Sequence, residues 1–160
     1  MAEEKKKRIA IIASKGTLDM AYPPLVLAST AASMDVEATI FFTFYGIDII
    51  NKKKYGKLQV APIGNPAMPS PMPIPNIIGM LPGMTAIGTM MMKSMIKGIN
   101  WPTIPEFVDI CLQSGVKMMA CSPTMEMTGV KKIDLVDGVI IAGAADYLDF
   151  ALDANISLFI

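Results

Sequence analysis

The chain has 160 residues, and its 14 basic side chains balance 14 acidic ones, so the formal net charge is zero. One domain is expected, since domains centre on roughly 100–150 residues. A nucleic-acid partner is not expected, because such a binder needs a basic excess that the totals lack. Histidine is absent, which removes His-based dyads and triads and His-ligated metal or haem sites. Two cysteines, Cys111 and Cys121, cannot by themselves build a disulfide framework or a four-cysteine metal site. No cofactor is expected. Apolar residues make up 52% of the chain and methionine alone contributes 15, an excess that calls for a partner surface or a membrane.

The start, Met1 to Arg8, is charged and leads into Ile9-Ala10-Ile11-Ile12-Ala13. A secretory signal needs about 7–15 apolar residues, and Ser14-Lys15 ends this run too early. The expectation is a charged tail over residues 1–7 entering a buried strand, in a cytoplasmic protein. Two unpaired cysteines fit a reducing compartment. Residues 8–160 are expected to form a single domain carrying a Pro/Met-rich insertion at residues 60–99.

The isoleucine-rich run Ile9 to Ala13 suits a strand buried on both faces of a parallel sheet. Gly16 to Asp19 reads as a turn, and Pro23-Pro24 as a first helical turn opening a helix from Leu25 to Met34. Asp35 breaks that helix. Val36 to Phe44 reads as a second strand and Gly46 to Ile50 as a short helical turn, followed by a solvated corner at Lys52-Lys53-Lys54. From Leu58 to Met92 no residue is charged, and seven of the twelve prolines fall there. Pro69 to Pro75 lacks alternate N–H donors, so it is expected to be extended, near polyproline II. Residues 77–97 are helix-permissive in parts, but Gly79, Pro82, Gly83 and Gly88 interrupt them.

Thr103 and Glu106 match a capping box, with Pro105 in the tolerant first turn. The helix they open runs through Phe107 and Leu112 and stops at Gly115. Val116 to Cys121 reads as a third strand. Ser122 then serves as N-cap and Pro123 as first residue of a short helix that Gly129 ends. Asp137-Gly138 turns into a strand over Val139 to Ala142, Ala144 to Asp153 forms a helix, and Ile156 to Ile160 closes the chain as a strand. Strands alternating with helices predict an α/β fold: a three-layer domain with a mostly parallel sheet of about five strands flanked by helices.

Cys121 ends a strand and immediately precedes a helix. Ligands of open parallel sheets sit beyond the carboxyl ends of the strands. A helix N-terminus offers unpaired N–H donors and partial positive charge, which favour a thiolate over a thiol. The competing reading is a buried structural cysteine, a common fate for this residue. Cys111 falls near the C-terminal end of its helix, where the dipole disfavours a thiolate, and is read as core. Helix and following strand run antiparallel, which sets Cys111 near the bottom of the sheet and Cys121 near the top. Five strand steps alone span roughly 16 Å, whereas a disulfide needs Cα atoms within about 7 Å. The loop Ser14-Lys15-Gly16-Thr17 carries neither nucleotide-binding glycine pattern. It is expected instead to wall a cleft beside Cys121, with Ser122 at the rim. Glu126, one turn beyond Ser122, is read either as facing that cleft or as a solvated carboxylate.

Ile11-Ile12-Ala13-Ser14-Lys15-Gly16-Thr17-Leu18-Asp19-Met20-Ala21-Tyr22-Pro23-Pro24 resembles the opening of DsrE/DsrF-like proteins. Phe41-Phe42-Thr43-Phe44-Tyr45-Gly46, Gly64-Asn65-Pro66-Ala67-Met68-Pro69 and Gly115-Val116-Lys117-Met118-Met119-Ala120-Cys121 resemble later parts of the pattern, in the branch with a long Pro/Met-rich insertion. The resemblance implies a small α/β domain assembling into trimers or hexamers. It implies a role in sulfur trafficking among relay proteins, with Cys121 carrying sulfur as a persulfide. A peroxidatic reading fits poorly, since no arginine exists beyond Arg8.

For the insertion two readings compete. A membrane span needs about 20 mainly apolar residues, and residues 77–92 are too short and too broken. Methionine-rich surfaces make adaptable protein contacts, so a subunit interface or a lid is preferred over peripheral membrane contact through residues 77–97. The functional expectation is a sulfur carrier or sulfurtransferase using Cys121. The alternative is a non-catalytic oligomeric module that docks partners or a membrane through the insertion.

Overall fold

The structure, a computed structural model, describes residues 6–62 and 81–160. The extended reading of residues 69–75 and the first residues of the 77–97 stretch lie outside the described residues. Five strands form one sheet: β1 (Arg8–Ala13), β2 (Glu37–Phe42), β3 (Lys117–Cys121), β4 (Ile140–Ala142) and β5 (Ile156–Phe159). Their order is β4-β3-β2-β1-β5, and every pairing is parallel. The helices are α1 (Leu18–Ser33), α2 (Met84–Gly98), α3 (Ile104–Gln113), α4 (Ser122–Thr128) and α5 (Ala144–Ala151). This is the expected α/β fold, with the sheet wholly rather than mostly parallel.

The strand order decides how helices divide between the two faces. From β1 to β4 the chain steps always towards the same edge, and right-handed crossovers then place α1, α3 and α4 on one face. Only the return from β4 to β5, at the opposite edge, sends a helix to the other face. The buried side chains divide accordingly. Ile9, Ile11, Ile40, Phe42, Met118 and Ala120 pack with Leu25 of α1, Val108 and Cys111 of α3 and Met125 of α4. Ala10, Phe41, Met119, Cys121 and Ala142 point the other way and meet Tyr147 of α5. Among the described residues, the second face is therefore covered by one eight-residue helix, α5.

Helix α1 starts earlier than the prolines suggest. The sequence places Pro23-Pro24 in a first turn, but both lie inside a helix that begins at Leu18. Burial of Leu18, Ala21 and Tyr22 draws the preceding turn onto the core, and this packing outweighs the hydrogen bonds that the prolines cannot donate. Tyr22 also stacks on Trp101 at 5.0 Å and donates its hydroxyl to the Pro102 carbonyl. The helix stops as expected at Asp35, which takes a left-handed φ of 60°. At α3 the capping box forms as read: Glu106 accepts from the Thr103 N–H at 2.7 Å and from its hydroxyl at 2.8 Å. Gly115 follows with φ 81°. The interrupted stretch before it settles into α2, whose N-terminus is set by Gly83 at φ 90°. The corner Lys52-Lys53-Lys54 is exposed, yet each ammonium is paired, to Asp137, Asp134 and Asp48.

Candidate functional site

Cys121 is the last residue of β3 and the N-cap of α4, so the helix begins at Ser122, one residue earlier than the Ser122-cap reading. Pro123 tolerates this because the first helical turn needs no N–H from it. β3 lies between β2 and β4, and Cys121 pairs with Ala142. Strand alternation turns Cys121 to the thinly covered face, where it is 8% exposed among Ala10, Phe41, Met119, Ala142 and Tyr147. Cys111 is fully buried on the opposite face and donates its thiol to the Leu25 carbonyl at 3.4 Å. Burial pushes that thiol up to about 12, so it stays protonated and inert. Both cysteines are free, and they sit on opposite sides of the sheet.

The exits of β2 and β3 are tied by hydroxyl groups. One step beyond the Phe42–Ala120 pair, Thr43 comes alongside Cys121. Thr43 Oγ1 and Thr124 Oγ1 lie 3.2 Å apart, and Thr124 Oγ1 accepts the Phe44 N–H at 3.1 Å. Phe44 takes φ 46°, a left-handed conformation unusual for a bulky residue and typical of backbone held by its surroundings. Thr124 sits in the first turn of α4, so the helix that follows Cys121 also holds this strained exit. The exits of β1 and β2 are clamped more directly. Gly46 N–H donates to the Ser14 carbonyl at 3.1 Å, and a Cβ on Gly16 or Gly46 would collide with the Tyr45 or Ala13 carbonyl.

The remaining predicted residues do not converge on Cys121. Lys15 and Gly16 line a separate cavity of about 510 Å³ with Thr17, Asp19, Tyr45 and Asp48, and Cys121 is not in its wall. The reason is topological: β2 stands between the β1 exit and Cys121. Ser14 Oγ donates to the Ile160 carbonyl at 3.0 Å and so ties β1 to the chain end. Ser122 is half-buried at the start of α4, while Glu126 is exposed outside the Cys121 cluster. Two residues near this strand end are missed by sequence reading: Thr124, which ties the β2 and β3 exits, and Tyr147, which packs in the Cys121 cluster. Thr124 is a polar residue three positions after Cys121, which the start of α4 could have flagged. Tyr147 has no local signal, because only the β4-to-β5 crossover brings it there.

A small, wholly parallel α/β domain with one cysteine at the carboxyl end of an interior strand defines the class. The chain belongs to the DsrE/DsrF/DrsH-like family, which it matches over residues 5–159. It is 44% identical to the sulfur carrier protein DsrE2 of Allochromatium vinosum over 98% of this chain and 99% of that protein. It is 33% identical to the uncharacterized protein YrkE of Bacillus subtilis, again over 98% of this chain and 99% of that one. Among solved structures, the YchN protein of E. coli aligns with a TM-score of 0.53 at 12% identity, covering 97% of this chain and 99% of that one. A protein of unknown function from Methanobacterium thermoautotrophicum aligns with a TM-score of 0.55 at 12% identity, covering 97% of this chain and all of that one. At that identity the two structures share the fold alone.

Proposed function

We propose that this chain is a cytoplasmic sulfur carrier or sulfurtransferase that holds sulfane sulfur as a persulfide on Cys121. The observation that carries the reading is the place of Cys121, at the carboxyl end of an interior parallel strand, on the thinly covered face of the sheet and 8% exposed. The 44% identity to a protein named as a sulfur carrier supports it. In the proposed reaction the Cys121 thiolate attacks the outer sulfur of thiosulfate. The Sγ–S bond forms, the S–S bond of the donor breaks, and sulfite leaves with the electron pair, so Cys–S–S⁻ remains. After protonation, an acceptor thiolate from a relay protein attacks the terminal sulfur and Cys121 leaves as thiolate. No external oxidant or reductant is consumed. Cys111 takes no part, because burial keeps it a thiol.

The direct test is intact-protein mass spectrometry after incubation with thiosulfate or polysulfide. Wild type gains one sulfur atom, dithiothreitol removes it, and Cys121→Ser gains none. A wild type that gains nothing from any sulfane donor, or a Cys121→Ser variant labelled equally, overturns the proposal.

A second reading is favoured by one observation. Helix α2 exposes Ile87, Met90, Met91 and Met95 to solvent, with Lys93 and Lys97 on the same helix. This surface suits docking of partner proteins or of a membrane face in a module whose Cys121 is unreactive. No helix among the described residues is long and apolar enough to cross a membrane. The same labelling experiment separates the two readings, because the docking module takes up no sulfur.

A further inference from the structure

Sheets in soluble proteins guard their outer strands, because an unpaired row of N–H and C=O groups pairs with any strand it meets. The two edges here differ. β4 spans only Ile140–Ala142, and a very short edge is itself a guard. β5 is the other edge, and it lacks such protection. Ala154-Asn155-Ile156-Ser157-Leu158-Phe159-Ile160 holds no charged residue and no proline, and both Ile156 and Phe159 are exposed.

The ladder with β1 decides which backbone groups are open. Ile160 donates its N–H to the Ile12 carbonyl at 2.8 Å, and its carbonyl accepts the Ser14 N–H at 2.7 Å. Ile160 thus turns both groups towards β1. Backbone direction alternates along a strand, so Leu158 and Ile156 do the same, while Ser157 and Phe159 turn theirs outward. Among the described residues no strand lies on that side. Ser157 and Phe159 pair with Ala10 and Ile12 of β1. They also border an open apolar groove of about 310 Å³ beside α5, with Leu148 and Leu152 in its wall.

We infer that β5 pairs antiparallel with β5 of a second copy of this chain, across a twofold axis at Leu158. The two five-stranded sheets then become one. A twofold contact sets a segment against itself, and this segment is self-complementary. Ser157 stands opposite the partner's Phe159, so every outward N–H and C=O of these two residues is paired. Leu158 meets the partner's Leu158, and Ile156 meets the partner's Ile160. Small Ser157 leaves room for the partner's Phe159 ring at the groove. A second copy is the occupant that fits, because an uncharged edge needs an uncharged complement and β5 supplies its own. Stable interfaces bury about 1,200 Å² or more. A strand pair alone is smaller, and exposed Leu148 and Leu152 extend the contact. The inference stands apart from the sulfur chemistry of Cys121.

The experiment compares wild type, Ser157→Pro and Ser157→Ala. Proline at 157 removes an outward N–H and none that serves β1, a change an outer strand tolerates. Sedimentation equilibrium should give an even-numbered assembly for wild type. Ser157→Pro should halve that mass with unchanged circular dichroism, and Ser157→Ala should keep it. Amide hydrogen exchange should be slow at Ser157 and Phe159 in wild type, and fast at Phe159 in Ser157→Pro. A wild-type monomer or trimer, fast wild-type exchange at both amides, or a Ser157→Pro variant of wild-type mass overturns the inference. Should Ser157→Pro fail to fold, wild-type exchange at these two amides decides the matter alone.

Discussion

The two cysteines lie ten residues apart in sequence and have opposite chemical fates. Cys111 faces the thick core between sheet and helices, and burial raises its thiol from 9.0 to about 12. In the unfolded chain it titrates near its ordinary value. Below that value both states hold the proton and the thiol adds full stability. As pH rises from about 9 towards 12 the unfolded state alone loses its proton, so the thiol's contribution falls by as much as roughly 1.4 kcal/mol per pH unit. Urea denaturation between pH 8 and 11 should therefore show wild type losing stability faster than Cys111→Val. Equal slopes would show that Cys111 ionises alike in both states. Cys121 faces the thin side, and its label in the proposed chemistry should appear at neutral pH while Cys111 stays unmodified in the folded protein.

At the scale of elements, α3 shows a local signal surviving into the fold unchanged. The Glu106 carboxylate accepts from the Thr103 N–H and hydroxyl, and these two bonds hold it below the usual carboxylate range. A depressed folded value means the contribution is present above the unfolded value, near 4.5, and is lost as pH falls through the folded one. Thermal melts should show the stability advantage of wild type over Glu106→Gln constant at pH 6–7 and shrinking progressively below pH 4.5. An advantage that does not change with pH would mean that the carboxylate charge is not what the cap uses. Helix α1 is the contrasting element. Its prolines argue for a start near Pro23, and the helix begins at Leu18 because buried Leu18, Ala21 and Tyr22 belong to the core.

At the scale of the molecule, the described residues give the sheet one well-covered face and one poorly covered face. Leu152 is 84% exposed and Phe159 is 73% exposed on or beside the thin side, and apolar surface of this kind favours association. The homo-oligomer proposed from the family resemblance gains its physical reason here. Sedimentation equilibrium should find trimers or hexamers for wild type, and Leu152→Asp should shift the distribution towards monomer with unchanged circular dichroism. Wild type that sediments as a monomer at all concentrations would overturn the homo-oligomer that the family resemblance implies.

Alternation of apolar runs with helical stretches fixed the α/β class, the parallel sheet and Cys121 at a strand end, because these follow from periodicity, glycine and proline placement along the chain. The capping box at Thr103 and the stops at Asp35, Gly115 and Gly129 were legible for the same reason: each is satisfied by residues within one turn. What surrounds Cys121 was not legible. Lys15 and Gly16 lie at a strand end as read, yet β2 separates them from the thiol, whereas Tyr147, distant in sequence, packs into its cluster. Strand order and crossover handedness decide which side chains share a face, and those are properties of contacts between segments far apart in the chain.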